Sequence, residues 1–154
     1  NSFLNEVFLW LIENIPSSSN PKKLCWGDSR IGNVLFDDFK VQSLLDWEMA
    51  TIGDPLCDLA WGLTTDDVSS HGLNIEKLAG TISNDEAIKI WEKETGFSAE
   101  NFFYYRILCL FKFSVIMIRV AKKLIHSEIM PLDSDFHINN HVSNYLKKEF
   151  SDKN

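Results

Sequence analysis

The sequence predicts a mainly helical α+β domain with one small β-hairpin, and three observations carry that expectation. Segments 3–14, 83–96, 98–127 and 135–150 place apolar residues at helical spacing. Two short apolar runs, 33–36 and 41–45, flank the polar turn Asp37-Asp38-Phe39-Lys40 and read as the hairpin. The 154 residues are 45% hydrophobic and 24% charged, the balance of an ordinary globular chain. A chain of this length buries roughly two-thirds of its unfolded surface, enough for a core without staples.

The first helix is expected over 3–14, where Phe3, Leu4, Val7, Phe8, Leu11 and Ile12 form one apolar stripe. Pro16 and the run Ser17-Ser18-Ser19-Asn20-Pro21 break it. Leu24-Cys25-Trp26 then leads into Gly27-Asp28, and the hairpin follows. Gly53-Asp54-Pro55 forms a second turn ahead of a helix over about 58–63. Residues 65–82 show no clear period. Ser83-Asn84-Asp85-Glu86 fits a capping box, in which serine oxygen and glutamate each satisfy an orphan amide. Gly96 stands where that helix would stop. A long helix is expected from Ser98 to about Ser127, and Pro131 follows its end. The last helix is expected over 135–150, with Phe136, Ile138, Val142, Tyr145 and Leu146 inward. These elements make one domain over 1–154.

Charge and cysteine usage exclude several functions. Fifteen basic against 22 acidic residues give a net charge of −7, which argues against nucleic acid or anionic membrane as partner. The three cysteines Cys25, Cys57 and Cys109 form no CxxC pair, so a disulfide framework or zinc site is not expected. A cytoplasmic location is the corresponding expectation. The most apolar stretch, 107–120, is interrupted by Lys112 and Arg119 and falls short of the ~20 apolar residues that span a bilayer. No secretory signal is visible, and the Asn1 start reads as a piece of a longer chain.

The chemistry lies in residues 26–61. Asp28 follows a glycine, Asn33 comes five residues later at the mouth of the first strand, and Asp46 ends the second. If the hairpin turns about the Phe39–Lys40 bond, Asn33 faces Asp46 across its open end. Two oxygen-bearing side chains then meet, with Asp28 in the loop that feeds them. Such hard ligands suit magnesium, which takes one or two carboxylates and completes its shell with phosphate and water. Phosphoryl transfer uses these parts: an aspartate near the acceptor hydroxyl, and an Asn and an Asp on the metal.

The segment resembles the aminoglycoside/choline phosphotransferase family, which shares the kinase-like fold. Three motifs in order carry the resemblance: Trp26-Gly27-Asp28 with Asn33 five residues on, Leu45-Asp46-Trp47-Glu48, and Gly53-Asp54-Pro55-Leu56-Cys57-Asp58-Leu59-Ala60. The match spans roughly 24–61 and is most similar to the uncharacterised branch related to the kinase-like domains of acyl-CoA dehydrogenase fusions. It implies the C-terminal substrate lobe of a kinase-like phosphotransferase, with a helical substrate subdomain over 64–154. It implies that Asp28 is the catalytic aspartate, and that Asn33 and Asp46 hold Mg2+ on the phosphates of ATP or GTP. Arg30 and Glu48 would line the acceptor side, and Trp26, Asp54 and Asp58 would be structural. Trp26 departs from the family, which has histidine there. The partners implied are a small-molecule hydroxyl acceptor and a nucleotide lobe. Only 27 residues precede Asp28, too few for five strands of ~5 residues with their turns. No GxGxxG or GxxxxGK[ST] occurs, so the N-terminal nucleotide lobe is expected to be absent here. It would come from a missing segment or a second copy, and this chain alone would be inactive.

Plainer readings stand beside these. A non-catalytic binding or self-associating module is the rival function, and a magnesium hydrolase is a third. His137 and His141 would share a helix face, which without a third ligand reads as a solvated face. The cysteines read as small buried hydrophobes, and Trp47, Trp61 and Trp91 as core. The run Phe102-Phe103-Tyr104-Tyr105 covers all sides of a helix and implies burial, in part against another lobe or chain.

Overall fold

The computed structural model describes residues 2–17 and 20–152; Ser18 and Ser19 of the predicted serine break lie outside them. Among the described residues five helices form the frame: α1 (Ser2–Glu13), α2 (Leu56–Ser70), α3 (Asn84–Thr95), α4 (Phe102–His126) and α5 (His141–Ser151). The long α4 is the axis, and α1, α2 and α5 pack against it. The main core joins Leu4, Val7 and Leu11 of α1 to Val68, Ile107, Leu110, Met117, Val142 and Leu146. α1, α4 and α5 contribute residues three or four apart, so one face of each is removed from water. A smaller cluster of Ala60, Trp61 and Cys109 joins α2 to α4 beneath the motif region.

The strands among the described residues form two separate antiparallel pairs. Strand β1 (Lys23–Cys25) pairs with β4 (Thr51–Gly53), a pairing that the alternation of so few residues did not reveal. Strands β2 (Val34–Asp37) and β3 (Lys40–Leu44) form the expected hairpin in a corrected register. Val34 pairs with Leu44 and Asp37 with Lys40, with an irregularity between Leu35 and Phe36. The turn is therefore centred one residue earlier than expected, on Asp38-Phe39. Both have positive φ, 45° and 58°, the geometry of a tight I′-type turn. Asn33 consequently faces Leu45, whose amide donates to the Asn33 carbonyl at 2.8 Å, and not Asp46.

Phe39 is 98% exposed and holds a left-handed conformation that suits glycine. Phe39→Gly is expected to raise stability by about 1 kcal/mol, since a Cβ in that region costs roughly 1–2 kcal/mol. The midpoint of urea denaturation measures it; an unchanged or lower midpoint contradicts the strain.

Three helix boundaries depart from expectation. α2 starts at Leu56 and runs to Ser70, well past residue 63. Its later half buries Thr64, Thr65, Asp67 and Ser70, so its inward face reads as polar. α4 begins at Phe102 rather than Ser98, and Ala99, Glu100 and Asn101 form the approach. α5 begins at His141, because the Asn140 side chain accepts from the Ser143 amide at 3.0 Å and caps it there. His137 thus precedes the helix, and no shared face with His141 exists. The capping box of α3 is formed by Ser83 and Glu86, and Gly96 ends that helix at φ 71°. Of the aromatic run, Phe103 stays 39% exposed and the other three are half-buried. Among the described residues no helix is long and apolar enough to cross a membrane.

A buried polar network locks α2 to its neighbours. The Arg106 guanidinium of α4 donates to Asp67 at 2.7 Å, to Glu149 of α5 at 2.6 Å and to the Tyr145 hydroxyl at 2.9 Å. Lys77 and Asn84 both donate to Asp67 at 2.7 Å. Asn84 of α3, Arg106 of α4 and the loop residue Lys77 therefore converge on one carboxylate of α2, and Arg106 links it to α5.

Candidate active site

The loop between β1 and β2 is held in place by the start of α2. The Trp26 and Gly27 amides donate to the two oxygens of Asp58 at 2.6 and 2.8 Å. Ser29 Oγ donates to the Asp58 carbonyl at 2.6 Å. Gly27 has φ 90°, and a Cβ there would lie 2.3 Å from the Met49 carbonyl oxygen. Gly62 lets α2 approach equally closely: its Cβ would sit 2.7 Å from the Ser29 carbonyl oxygen. Asp54 is buried and accepts from the Leu56 amide, from Asn20, and from the Tyr105 hydroxyl at 3.4 Å. It caps α2 and ties it to the segment that follows α1. Trp26 is buried, and its indole N–H donates to the Leu45 carbonyl at 2.7 Å. The indole thus joins this loop to the end of the hairpin.

Three side chains converge on the Asp28 carboxylate. Trp61 Nε1 donates to Oδ1 at 2.7 Å. Asn33 Nδ2 donates to Oδ2 at 2.6 Å, and Arg30 Nε donates to the same oxygen at 3.1 Å. Burial pushes the carboxyl's pKa up, but these three hydrogen bonds and the Arg30 charge outweigh it and hold it below the usual range. Asp28 is therefore ionised at neutral pH.

Asn33 lies in a single tight turn, Ile31–Asn33, and is buried. Its amide also donates to the Asp28 carbonyl at 3.1 Å, while its Oδ1 accepts no hydrogen bond within the described residues. Asp46 has φ 60°, is exposed, and makes no ion pair or hydrogen bond through its side chain among the described residues. A left-handed aspartate just past a strand is tolerated because its short side chain fits that geometry. No group of three or more His, Cys, Asp or Glu able to hold a metal occurs among the described residues.

Two cavities flank Arg30. One, of about 300 Å³, is lined by Asp28, Arg30, Met49, Trp61, Thr65, Ser69, Phe113 and Ile116. The other, of about 430 Å³, runs along residues 29–32 and α2, past Gly62, Thr65, Asp66 and Ser69. Arg30 has a half-exposed side chain and borders both. Glu48 is exposed and lines neither; Met49 takes the wall instead.

Trp61 was expected in the core and is buried, yet its N–H reaches the site. A signal existed: Trp61 lies three residues after Asp58, so both share one helix face toward the same loop. Trp47 is 44% exposed and stacks near Trp26 at 6.0 Å between ring centroids, so it is not core. Burial pushes the Cys57 and Cys109 thiols up to about 12, which leaves them protonated and unsuited as nucleophiles.

Comparison with known proteins agrees with these motifs. The model of the phosphotransferase enzyme family matches residues 2–90. The chain is 33% identical over 124 residues to acyl-CoA dehydrogenase family member 11 of Pongo abelii, and 33% identical over 126 residues to that of Gallus gallus. Each alignment covers 73% of this chain and 16% of the relative, so the chain spans only a small part of these proteins. A crystal structure assigned to the aminoglycoside phosphotransferases, from Ralstonia eutropha JMP134, superposes with a TM-score of 0.70 at 18% identity. It covers 95% of this chain, which corresponds to 46% of that one. At that identity the likeness shows the fold.

Proposed function

The chain belongs to the phosphotransferase enzyme family, and on that premise we propose that it forms the acceptor and metal side of a kinase-like centre. In this proposal the centre moves the γ-phosphate of ATP or GTP to a hydroxyl on a small molecule. The observation that supports it best is Asp28: an ionised carboxylate, fixed by three donors, bordering a cavity of about 300 Å³. The acceptor hydroxyl rests against Asp28. Its oxygen bonds to the γ-phosphorus as the bond from phosphorus to the bridging oxygen breaks. The hydroxyl proton passes to Asp28, and the nucleoside diphosphate leaves with the bond pair. Met49, Phe113 and Ile116 keep water away from that side of the cavity. Arg30 places positive charge between the two cavities, where a phosphoryl group gains from it.

Magnesium, when bound, neutralises phosphate charge. The donor chemistry suits it: Asn33 Oδ1 is unused, and the Asp46 carboxylate is exposed and unpaired among the described residues. Two hard oxygen donors leave the remaining positions to phosphate and water. The groups that cover the nucleotide come, in this reading, from a separate lobe or a second copy of the chain. Support comes from the two small sheets, which leave Leu24, Leu35, Phe36, Val41 and Ile52 exposed. Apolar surface of that kind marks an interaction face.

The test is ADP release from Mg-ATP by the full-length protein. Asp46→Ala is expected to lower it by roughly 100-fold or more, the scale of losing metal-held charge stabilisation. Turnover within a few-fold of the parent would exclude Asp46 from the metal site.

A further inference from the structure

We propose that Trp61 is the positioning residue for the Asp28 carboxylate, and that its hydrogen bond leaves Oδ1 as the atom that takes the acceptor's proton. This rests on the proposed function above. A carboxylate offers about four lone-pair directions, two on each oxygen. On Asp28, Oδ2 already accepts from Asn33 and Arg30, so both of its directions are used. Among the described residues Oδ1 accepts only from Trp61, which leaves one direction open. Asp28, Trp61 and Arg30 border the same cavity, so it is the open direction on Oδ1 that the acceptor approaches.

The donor is rigidly mounted. The Trp61 indole is 5% exposed, the Phe113 ring lies 6.0 Å away, and the Lys112 ammonium sits 5.0 Å from its ring centroid. Its helix is fixed to the Asp28 loop through Asp58 and through the close approach at Gly62. Arg30, by contrast, is half-exposed and long, so it cannot fix the carboxylate plane alone. The chemical step is unchanged. The acceptor O–H bond breaks toward Oδ1, its electron pair forms the new bond to phosphorus, and the diphosphate departs with the old one. Trp61 exchanges no proton or electron pair in the step; its hydrogen bond sets where Oδ1 points.

Two replacements separate this role from packing, read as ADP release from Mg-ATP by the full-length protein. Trp61→Phe removes the N–H and part of the ring. Benzothienylalanine incorporated at position 61 keeps the bicyclic shape and removes only the donor, so its fold is preserved. Both are expected to lower kcat about tenfold or more, the scale of a hydrogen bond to a charged group. KM for Mg-ATP should stay within twofold, and the benzothienyl protein should keep the parent Tm. A benzothienyl protein with parental kcat overturns the assignment, because shape alone then suffices. Turnover that is indifferent to Asp28→Ala overturns the proposed function, and this assignment with it. Turnover that needs Asp28 but not the indole N–H overturns this assignment alone.

Discussion

Arg106→Met is expected to destabilise the fold by about 3–5 kcal/mol, the cost of removing one partner from a buried ion pair. The replacement keeps an apolar stem of similar length, so the loss comes from the carboxylates rather than from a void. Asp67 has a side chain only 3% exposed and would keep Lys77 and Asn84, but not the guanidinium that faces it from α4. Glu149 and the Tyr145 hydroxyl would also lose a donor. Urea denaturation followed by circular dichroism measures the change; a loss below 1 kcal/mol contradicts the network's importance. Acid should report on the same group. Burial raises the Asp67 pKa, but hydrogen bonds from Lys77, Arg106 and Asn84 outweigh it and hold the carboxyl below its usual range. A carboxyl depressed in the folded state stabilises above its unfolded pKa of about 3.9, and loses that contribution as pH falls through the folded value. The parent should therefore lose stability below about pH 4, and the Arg106→Met curve should be flatter there.

Asp28→Asn is expected to lower phosphoryl transfer by the full-length protein by roughly 10²–10⁴-fold, the range for removing a positioned proton acceptor. The amide keeps the side chain's size and can still accept from Trp61, so folding should be little affected. It loses the charge that receives the proton, and it presents an NH2 where Asn33 and Arg30 donate. ADP release from Mg-ATP, measured beside the Tm, separates the two effects. Near-parental turnover would remove Asp28 from the chemistry.

What the sequence made legible was local. The motif at 53–60 places Asp54 at the start of α2, where it accepts from the Leu56 amide two residues on, whereas Asp58 reaches back to the Trp26 and Gly27 amides and was legible only through the motif resemblance. The capping box at Ser83 and Glu86 was likewise written in four consecutive residues. The hairpin was visible, but its register was not. Its turn uses Asp38 and Phe39 at positive φ without the glycine that marks such turns. One residue of error moved the partner of Asn33 from Leu45 to Asp46. The length of α2 was hidden because its inward face carries Thr64, Thr65, Asp67 and Ser70. Asp67 is satisfied by Arg106, 39 residues away, and no local pattern announces such a partner. Trp61 is core as expected, and its hydrogen bond to the site stayed hidden for the same reason, since its partner Asp28 lies 33 residues earlier.

A crystal structure of the full-length protein with Mg2+ and a non-hydrolysable ATP analogue tests the proposed centre most directly. A magnesium ion is expected about 2.1 Å from Asn33 Oδ1 and from an Asp46 oxygen. The γ-phosphate is expected to face Asp28 across the cavity walled by Trp61 and Phe113. Nucleotide phosphates bound away from residues 28–46, or a metal held by other side chains, would contradict it.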